Sequence, residues 1–247
     1  MRLAILADIH GNARALDAVL ADVSRRCVAR VVNLGDGLYG PFDPRPVAEH
    51  LIEAGWPTVA GNEDRILVEA VDGSAASRTA RFTLDQLDDR HIEWLRVLPR
   101  TRDIEGIALA FHGTPNDDAR CLLTHPTQDG SMRPVSEKEV AAELVGIDAP
   151  LILCAHDHMP RGVELADGRT VVNPGSVGCP AYSDDTPIPH AVENGTPHAR
   201  YAIVTSDEGL AQAELVAVPF DWNAAADEAR GNGFPDWSHW LRTGRVR

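Results

Sequence analysis

Five short strand-like runs in this 247-residue chain each stop abruptly at residues able to bind a metal ion. Leu3–Ala7 ends in Asp8-Ile9-His10, and Arg30–Leu34 ends in Gly35-Asp36. Thr58–Ala60 ends in Gly61-Asn62, Ile107–Phe111 in His112-Gly113, and Leu151–Ala155 in His156-Asp157-His158. A short apolar run cut off by polar residues reads as a buried strand feeding a loop. Between the first three runs, Leu16, Val19, Leu20 and Val23 recur at helical spacing behind Asn12, a competent N-cap. Val47, Leu51 and Ile52 share one face of a second helix. Strand, helix, strand, helix, strand predicts a parallel sheet with crossover helices.

Further on, Glu63 to about Arg100 is charged and reads as mostly helical, and Glu137–Val145 as another helix. After residue 160 the pattern changes. Gly162–Leu165, Thr170–Val172, Arg200–Thr205 and Ala211–Val218 read as antiparallel strands, with turns at Asp167-Gly168 and Asp207-Glu208-Gly209. Pro187–Pro197 reads as an exposed loop. The tail from Ala224 begins helical and carries Trp237 and Trp240, which are expected to dock on the body. No repeat or interdomain linker is evident. The expectation is one domain over 1–247, with 206–247 a C-terminal extension.

Charge narrows the function. Lys and Arg total 23 against 37 Asp and Glu, a net −14 that repels a nucleic-acid backbone. Sequence-specific nucleic-acid binding is therefore not expected. Small phosphorylated substrates remain open, because a bound cation reverses the local field. No apolar run approaches the ~20 residues of a membrane span. Asp8 interrupts the first run too early for a signal-peptide core. The four cysteines form no C-x-x-C and read as reduced and mostly buried. These features predict a cytoplasmic protein without a membrane partner; the oligomeric state is not legible.

In open α/β sheets, ligands gather beyond the carboxyl ends of the strands. Asp8, His10, Asp36, Asn62, His112, His156 and His158 are therefore expected to converge. Carboxylates, imidazoles and an amide oxygen suit Mn, Fe, Co or Zn. The lack of thiolates argues against a structural zinc site. Seven donors are too many for one ion and enough for two. Alternation along Asp8-Ile9-His10 and along His156-Asp157-His158 lets each pair point the same way, leaving Asp157 facing solvent. Gly11, Gly35, Gly61 and Gly113 let the chain turn sharply.

These motifs, in this order, together with Gly61-Asn62-Glu63-Asp64, resemble those of the calcineurin-like metallophosphoesterase superfamily. The stretches Gly35–Pro41 and Asn173–Gly178 resemble its small prokaryotic, phosphodiesterase-like branch. The resemblance covers about residues 1–205. It implies an α/β fold, a four-layer αββα sandwich of two mixed β-sheets flanked by helices. It also implies two divalent metal ions, manganese before iron, zinc, cobalt or nickel. Asp8, His10 and His158 would hold one, and Asn62, His112 and His156 the other, with Asp36 bridging. A bridging hydroxide would attack phosphorus while both ions neutralise the developing charge.

The family commonly places histidine where this chain has Glu63. A carboxylate there repels a dianionic monoester more than a monoanionic diester, so phosphodiesters are the expected substrates. Asp36, Asn62, Glu63 and Asp64 are the residues expected to serve the reaction, Asp64 by orienting a ligand or the helix start. Asn12 is expected to cap its helix, Asn173 to form a turn or support the site, and Tyr39 to pack in the core or at the rim. Residues 116–134 and 181–199 are expected to border the site. The rival readings are a phosphomonoesterase, acting on phosphoproteins or nucleotide polyphosphates, and a non-catalytic metal-binding scaffold of the same fold.

Overall fold

The first apolar run forms β1 (Arg2–Leu6), buried at every residue but its first. The chain continues through α1 (Ala13–Arg25), β2 (Val31–Asn33), α2 (Arg45–Ala54), α3 (Asn62–Val71), α4 (Arg78–Leu84) and α5 (Asp89–Arg96). Next come β3 (Thr101–Ile104), β4 (Ala108–Phe111), β5 (Thr124–Pro126), β6 (Met132–Pro134), α6 (Glu137–Glu143) and β7 (Leu151–Leu153). The last third holds β8 (Arg161–Glu164), β9 (Thr170–Asn173), β10 (Ala181–Asp184), β11 (His190–Glu193), β12 (Ala199–Asp207) and β13 (Leu210–Val218). Two helices close the chain, α7 (Trp222–Gly231) and α8 (Pro235–Thr243). This computed structural model describes residues 1–207 and 210–247. The expected turn at Asp207-Glu208-Gly209 falls on 208 and 209, outside the described residues.

Two mixed sheets carry the fold, ordered β13-β12-β1-β2 and β3-β4-β7-β9-β8. β1 runs parallel to β2 and antiparallel to β12. β7 is parallel to both β4 and β9. Leu3, Ile5, Val32 and Val204 of the first sheet meet Ala108, Leu151, Leu153 and Val172 of the second in one buried cluster. The outer face of the first sheet packs Ala4, Leu6 and Ile203 against Leu16, Val19 and Val23 of α1 and Val47 and Leu51 of α2. The outer face of the second packs Phe111, Ile152 and Val171 against Val140 and Leu144 at α6. Each sheet thus buries both faces, which gives the expected αββα order of layers.

Local chemistry explains the edges of these elements. Asn12 caps α1, its side-chain oxygen accepting from Ala15 N at 3.1 Å. Gly55 and Gly244 end α2 and α8 in the left-handed conformation. Three expectations need correction. Thr58–Ala60 makes only a single bridge, Thr58 to Asn33, because Pro57 and the start of α3 leave no room for a strand. The Asp167-Gly168 turn does join antiparallel β8 and β9, but the other neighbour of β9 is parallel, so this region completes the second sheet. Pro187–Pro197 is not one loop; His190–Glu193 pairs with β10, and His190 is buried. All four cysteines are unpaired; Cys154 and Cys179 are buried, Cys121 half-buried and Cys27 exposed.

Tyr201 on β12 is fully buried, and its hydroxyl donates to Asp22 Oδ2 on α1 at 2.7 Å. Burial pushes the Asp22 carboxyl up. Tyr201, Arg26 and Arg25 more than offset this and hold it below its usual value. A depressed carboxylate stabilises above its unfolded pKa and loses that contribution as pH falls through its folded one. Tyr201→Phe is expected to cost about 1.5 kcal/mol at neutral pH. Urea unfolding at neutral pH and again near pH 3 should show the loss shrinking in acid.

Candidate metal centre

All seven expected donors lie at one end of the two sheets, although the chain reaches them from five separate loops. The convergence begins in the backbone. Asp8, His10, Asp36, His156 and His158 all adopt positive φ, between 52° and 75°. The left-handed region is uncommon for side-chain-bearing residues and concentrates at functional sites. The paired direction of Asp8 and His10 therefore does not come from strand alternation, because β1 has already ended at Leu6. The same geometry overturns the expectation for Asp157. It is buried, accepting from Thr124 Oγ1 and Asn173 Nδ2 at 2.7 Å each. Left-handed residues on either side turn it inward, where extended chain would turn it out. Burial pushes its pKa up to about 6.

Two of the close approaches that require glycine shape the site directly. A Cβ on Gly61 would overlap Asp36 Oδ1, and a Cβ on Gly178 would overlap the Ile9 carbonyl oxygen. The first lets α3 begin against Asp36, so that Glu63 N donates to Asp36 Oδ1 at 2.9 Å. The second presses the Asn173–Gly178 turn onto the end of β1. Ser176 Oγ donates to the Asp8 carbonyl at 2.7 Å, and Asn12 Nδ2 to the Gly178 carbonyl at 3.1 Å. Asn173 Nδ2 donates to the Ala155 carbonyl at 3.0 Å, so this residue supports the His156–His158 loop.

Three imidazoles are oriented alike. His10, His112 and His158 each place Nδ1 against a backbone carbonyl, of Tyr39, Leu34 and Cys179, at 2.9, 2.7 and 2.8 Å. Such a contact sets the tautomer and leaves Nε2 to coordinate. His156 is reversed, its Nε2 lying 3.0 Å from the Ala119 carbonyl oxygen. His10 and His158 Nε2 approach to 3.1 Å, and His112 Nε2 lies 3.1 Å from Asp36 Oδ2.

Donor atoms gather in three overlapping groups: Asp8, His10 and His158; Asp36, His112 and His156; and His10, Asp36 and Glu63. Asp36 belongs to two of them. Asp8 Oδ1 and Oδ2, Asn62 Oδ1, Glu63 Oε2 and His112 Nε2 are buried without a hydrogen-bond partner. Orphaned buried acceptors are costly, and a cation is the partner that satisfies several at once. The donor chemistry and these orphaned atoms fit divalent ions.

The electrostatics agree. Burial pushes the Asp36 carboxyl up, but His112, His10 and His156 hold it well below its usual range. Burial pulls His112 down, yet Asp36 and Asp8 carry it up to about 10. Burial, joined by His112, lowers His156 to about 4. Glu63 faces the site, with Oε2 3.1 Å from His10 Nδ1, and burial pushes it up to about 7 against the pull of that imidazole. Asp64 does not line the cavity. It is buried beneath, accepting from Asp36 N, Gly61 N and Gly37 N at 2.8, 2.9 and 3.2 Å. It is a positioning residue, tying the Asp36 loop to the start of α3.

Above these donors lies a cavity of about 340 Å³. Tyr39 lines it and is half-buried. Tyr182, Ser183 and Asp184 also line it, so part of 181–199 borders the site as expected. From 116–134, Ala119 reaches the donors through its carbonyl at His156; residues 128–132 line an adjoining cavity of about 710 Å³ that shares Ser183 and Asp184 with this one. Trp237 and Trp240 also reach the donors' cavity. Their sequence context points only to docking, since a tryptophan in a tail carries no motif.

Fold and site together define a class. Residues 1–194 match the calcineurin-like phosphoesterase superfamily domain, and the chain belongs to that family. It is similar to the uncharacterized protein MJ0912 of Methanocaldococcus jannaschii, 25% identical over 256 residues that span 95% of this chain and 94% of that protein. Among solved structures it is similar to a metallophosphoesterase from Sphaerobacter thermophilus. That likeness has a TM-score of 0.75 and 25% identity, over 99% of this chain and 100% of the other. The family acts on phosphoester bonds and depends on divalent metal.

Asp64→Asn would set an amide N–H₂ among three backbone donors. Manganese affinity, measured by calorimetry, is expected to fall on the order of 10–100-fold while circular dichroism stays native-like.

Proposed function

We propose that this protein is a dinuclear metal-dependent phosphodiesterase acting on small phosphorylated substrates. The observation that carries the reading is the set of buried, orphaned donors on Asp8, Asn62 and His112, converging beside Asp36. Asp8, His10 and His158 would hold one ion, and Asn62, His112 and His156 the other, with Asp36 shared. Two divalent ions there, manganese foremost, would supply Lewis acidity toward the phosphoryl oxygens and a water acidic enough to attack near neutral pH.

The protein's own residues do the rest. The Glu63 N–H fixes Asp36 Oδ1, and Asp64 fixes the backbone of the Asp36 loop. The carbonyls of Tyr39, Leu34 and Cys179 hold three imidazoles in the coordinating tautomer. Glu63 supports a diester preference, since its carboxyl lies in the cavity wall beside His10. A monoanionic diester meets less repulsion there than a dianionic monoester. The net charge of −14 supports small substrates over a nucleic-acid backbone. No helix among the described residues is long and apolar enough to cross a membrane.

The test uses protein stripped of metal and reloaded with manganese, with bis(para-nitrophenyl) phosphate and para-nitrophenyl phosphate as substrates. Diester turnover is expected to exceed monoester turnover and to fall at least about 100-fold in Asp36→Asn and His112→Ala. Glu63→His should shift the ratio toward the monoester. Diester turnover equal in wild type and Asp36→Asn overturns the reading.

A further inference from the structure

One part of the cavity wall is unsuited to phosphoryl oxygens, which call for cations and N–H donors. Trp237 and Trp240, one turn apart on α8, line it together with Tyr182 of β10. The two indoles have centroids 5.5 Å apart at an interplanar angle of 46°. Trp237 meets the ring of His10 at 5.6 Å and 68°, and Tyr182 meets that of His158 at 4.7 Å and 65°. The aromatic surface therefore starts at two donors of a single group, Asp8, His10 and His158.

Core packing accounts in part for Trp237, which lies against the cluster of Phe42, Ala225 and Leu241, but not for the other two rings. Trp240 and Tyr182 belong to no apolar cluster among the described residues, and both keep part of their surface open. The helix that presents the indoles is pinned at both ends. Phe234, at its start, packs on Phe82 at 5.2 Å beneath the Arg78 guanidinium at 4.7 Å. Beyond its end, Gly244 presses on Thr196 where a Cβ has no room, and its carbonyl accepts from Gly195 N at 2.9 Å. Leu241 is buried against Ala225, Ala226 and Ala229. Rings held this way lose little freedom when a flat ligand stacks on them.

We infer that this wall binds the base of a nucleoside phosphodiester, stacked on Trp237, Trp240 and Tyr182 while its phosphoryl group lies over the metal donors. The inference rests on the phosphodiesterase reading and narrows it to a substrate class. Every nucleobase has a π-face that aromatic side chains stack against, whereas sugar-phosphate and glycerol-type diesters have none. The cavity, at about 340 Å³, falls in the ~300–1,000 Å³ range of small-molecule sites. Glu63 and Asp184 also line it and disfavour a second anionic group there, which selects an uncharged ring.

The test compares adenosine monophosphate with ribose phosphate as ligands of the manganese-loaded protein, by tryptophan fluorescence and calorimetry. The nucleotide is expected to bind at least on the order of tenfold more tightly and to quench the fluorescence. Trp240→Leu should abolish that ratio and Trp240→Phe should restore much of it. In turnover, a dinucleoside monophosphate should show a lower KM than glycerophosphocholine, with the difference lost in Trp240→Leu. Equal affinities for the two ligands in the wild type, or a ratio unchanged in Trp240→Leu, overturn the inference. Nucleotide binding of this kind without hydrolysis of any diester would instead overturn the phosphodiesterase reading and leave the base site standing.

Discussion

The parallel ladder between β1 and β2 does not stop where the strands stop. Past Leu6 and Asn33 it continues as Asp8 N to Gly35 O at 3.0 Å, His10 N to Asp36 O at 3.0 Å and Gly11 N to Gly37 O at 2.9 Å. Gly178 N donates to Asp8 O from another side, and Ala155 N to His112 O ties the second sheet's loops together. The rest of the site depends on this lacing. It holds Asp8, His10 and Asp36 in the left-handed region, each at a cost on the order of 1 kcal/mol or more, which an unconstrained loop would relax away. The strain turns side chains from neighbouring strand ends toward one point.

Bringing those groups together creates an electrostatic problem that the surrounding protein solves in part. Asp8, Asp36, His112 and His158 are almost fully buried. Carboxylates and imidazoles compensate one another across 3–4 Å, as with His112 and Asp36 at 3.1 Å or His158 and Asp8 at 3.4 Å. Backbone carbonyls occupy the outer imidazole nitrogens, and Asp64 collects the N–H groups behind Asp36. The orphaned inner atoms are what this arrangement leaves over, and their chemistry suits a cation. Glu63 sits at the rim of that charge cluster, in the cavity wall beside His10.

The C-terminal segment changes the character of the site without entering its metal chemistry. β13 completes the first sheet at its edge, and α7 and α8 fold back so that α8 contacts β10. Trp237 thereby reaches His10 across 227 positions of chain, counted from residue 10 to residue 237. A polar, charged cleft acquires an aromatic wall on a helix anchored at both ends.

Much of the architecture was legible in sequence because it follows from local rules. Apolar runs of strand length ending at Asp or His marked β1, β2, β4 and β7, and the helical spacing of Leu16, Val19 and Val23 marked α1. The seven candidate donors stood out because only a few side-chain types bind metal and each stood just past such a run. Short pieces without apolar contrast, such as β3, β5 and β6, were not readable, since their pairing is supplied by distant partners. Asp157 was misplaced because alternation assumes an extended chain, and the left-handed turn there comes from contacts with Asn173 and Thr124. Tyr182, Trp237 and Trp240 carried no motif that marks a binding role. The sequence by itself determined which side chains have metal-binding chemistry and, for all but Asn62, which strands lead to them, because residue chemistry and periodicity are local. Only the tertiary structure decided how those groups face one another and which aromatic rings stand over them, because backbone strain and the docking of a remote helix are settled by contacts between segments far apart in the chain.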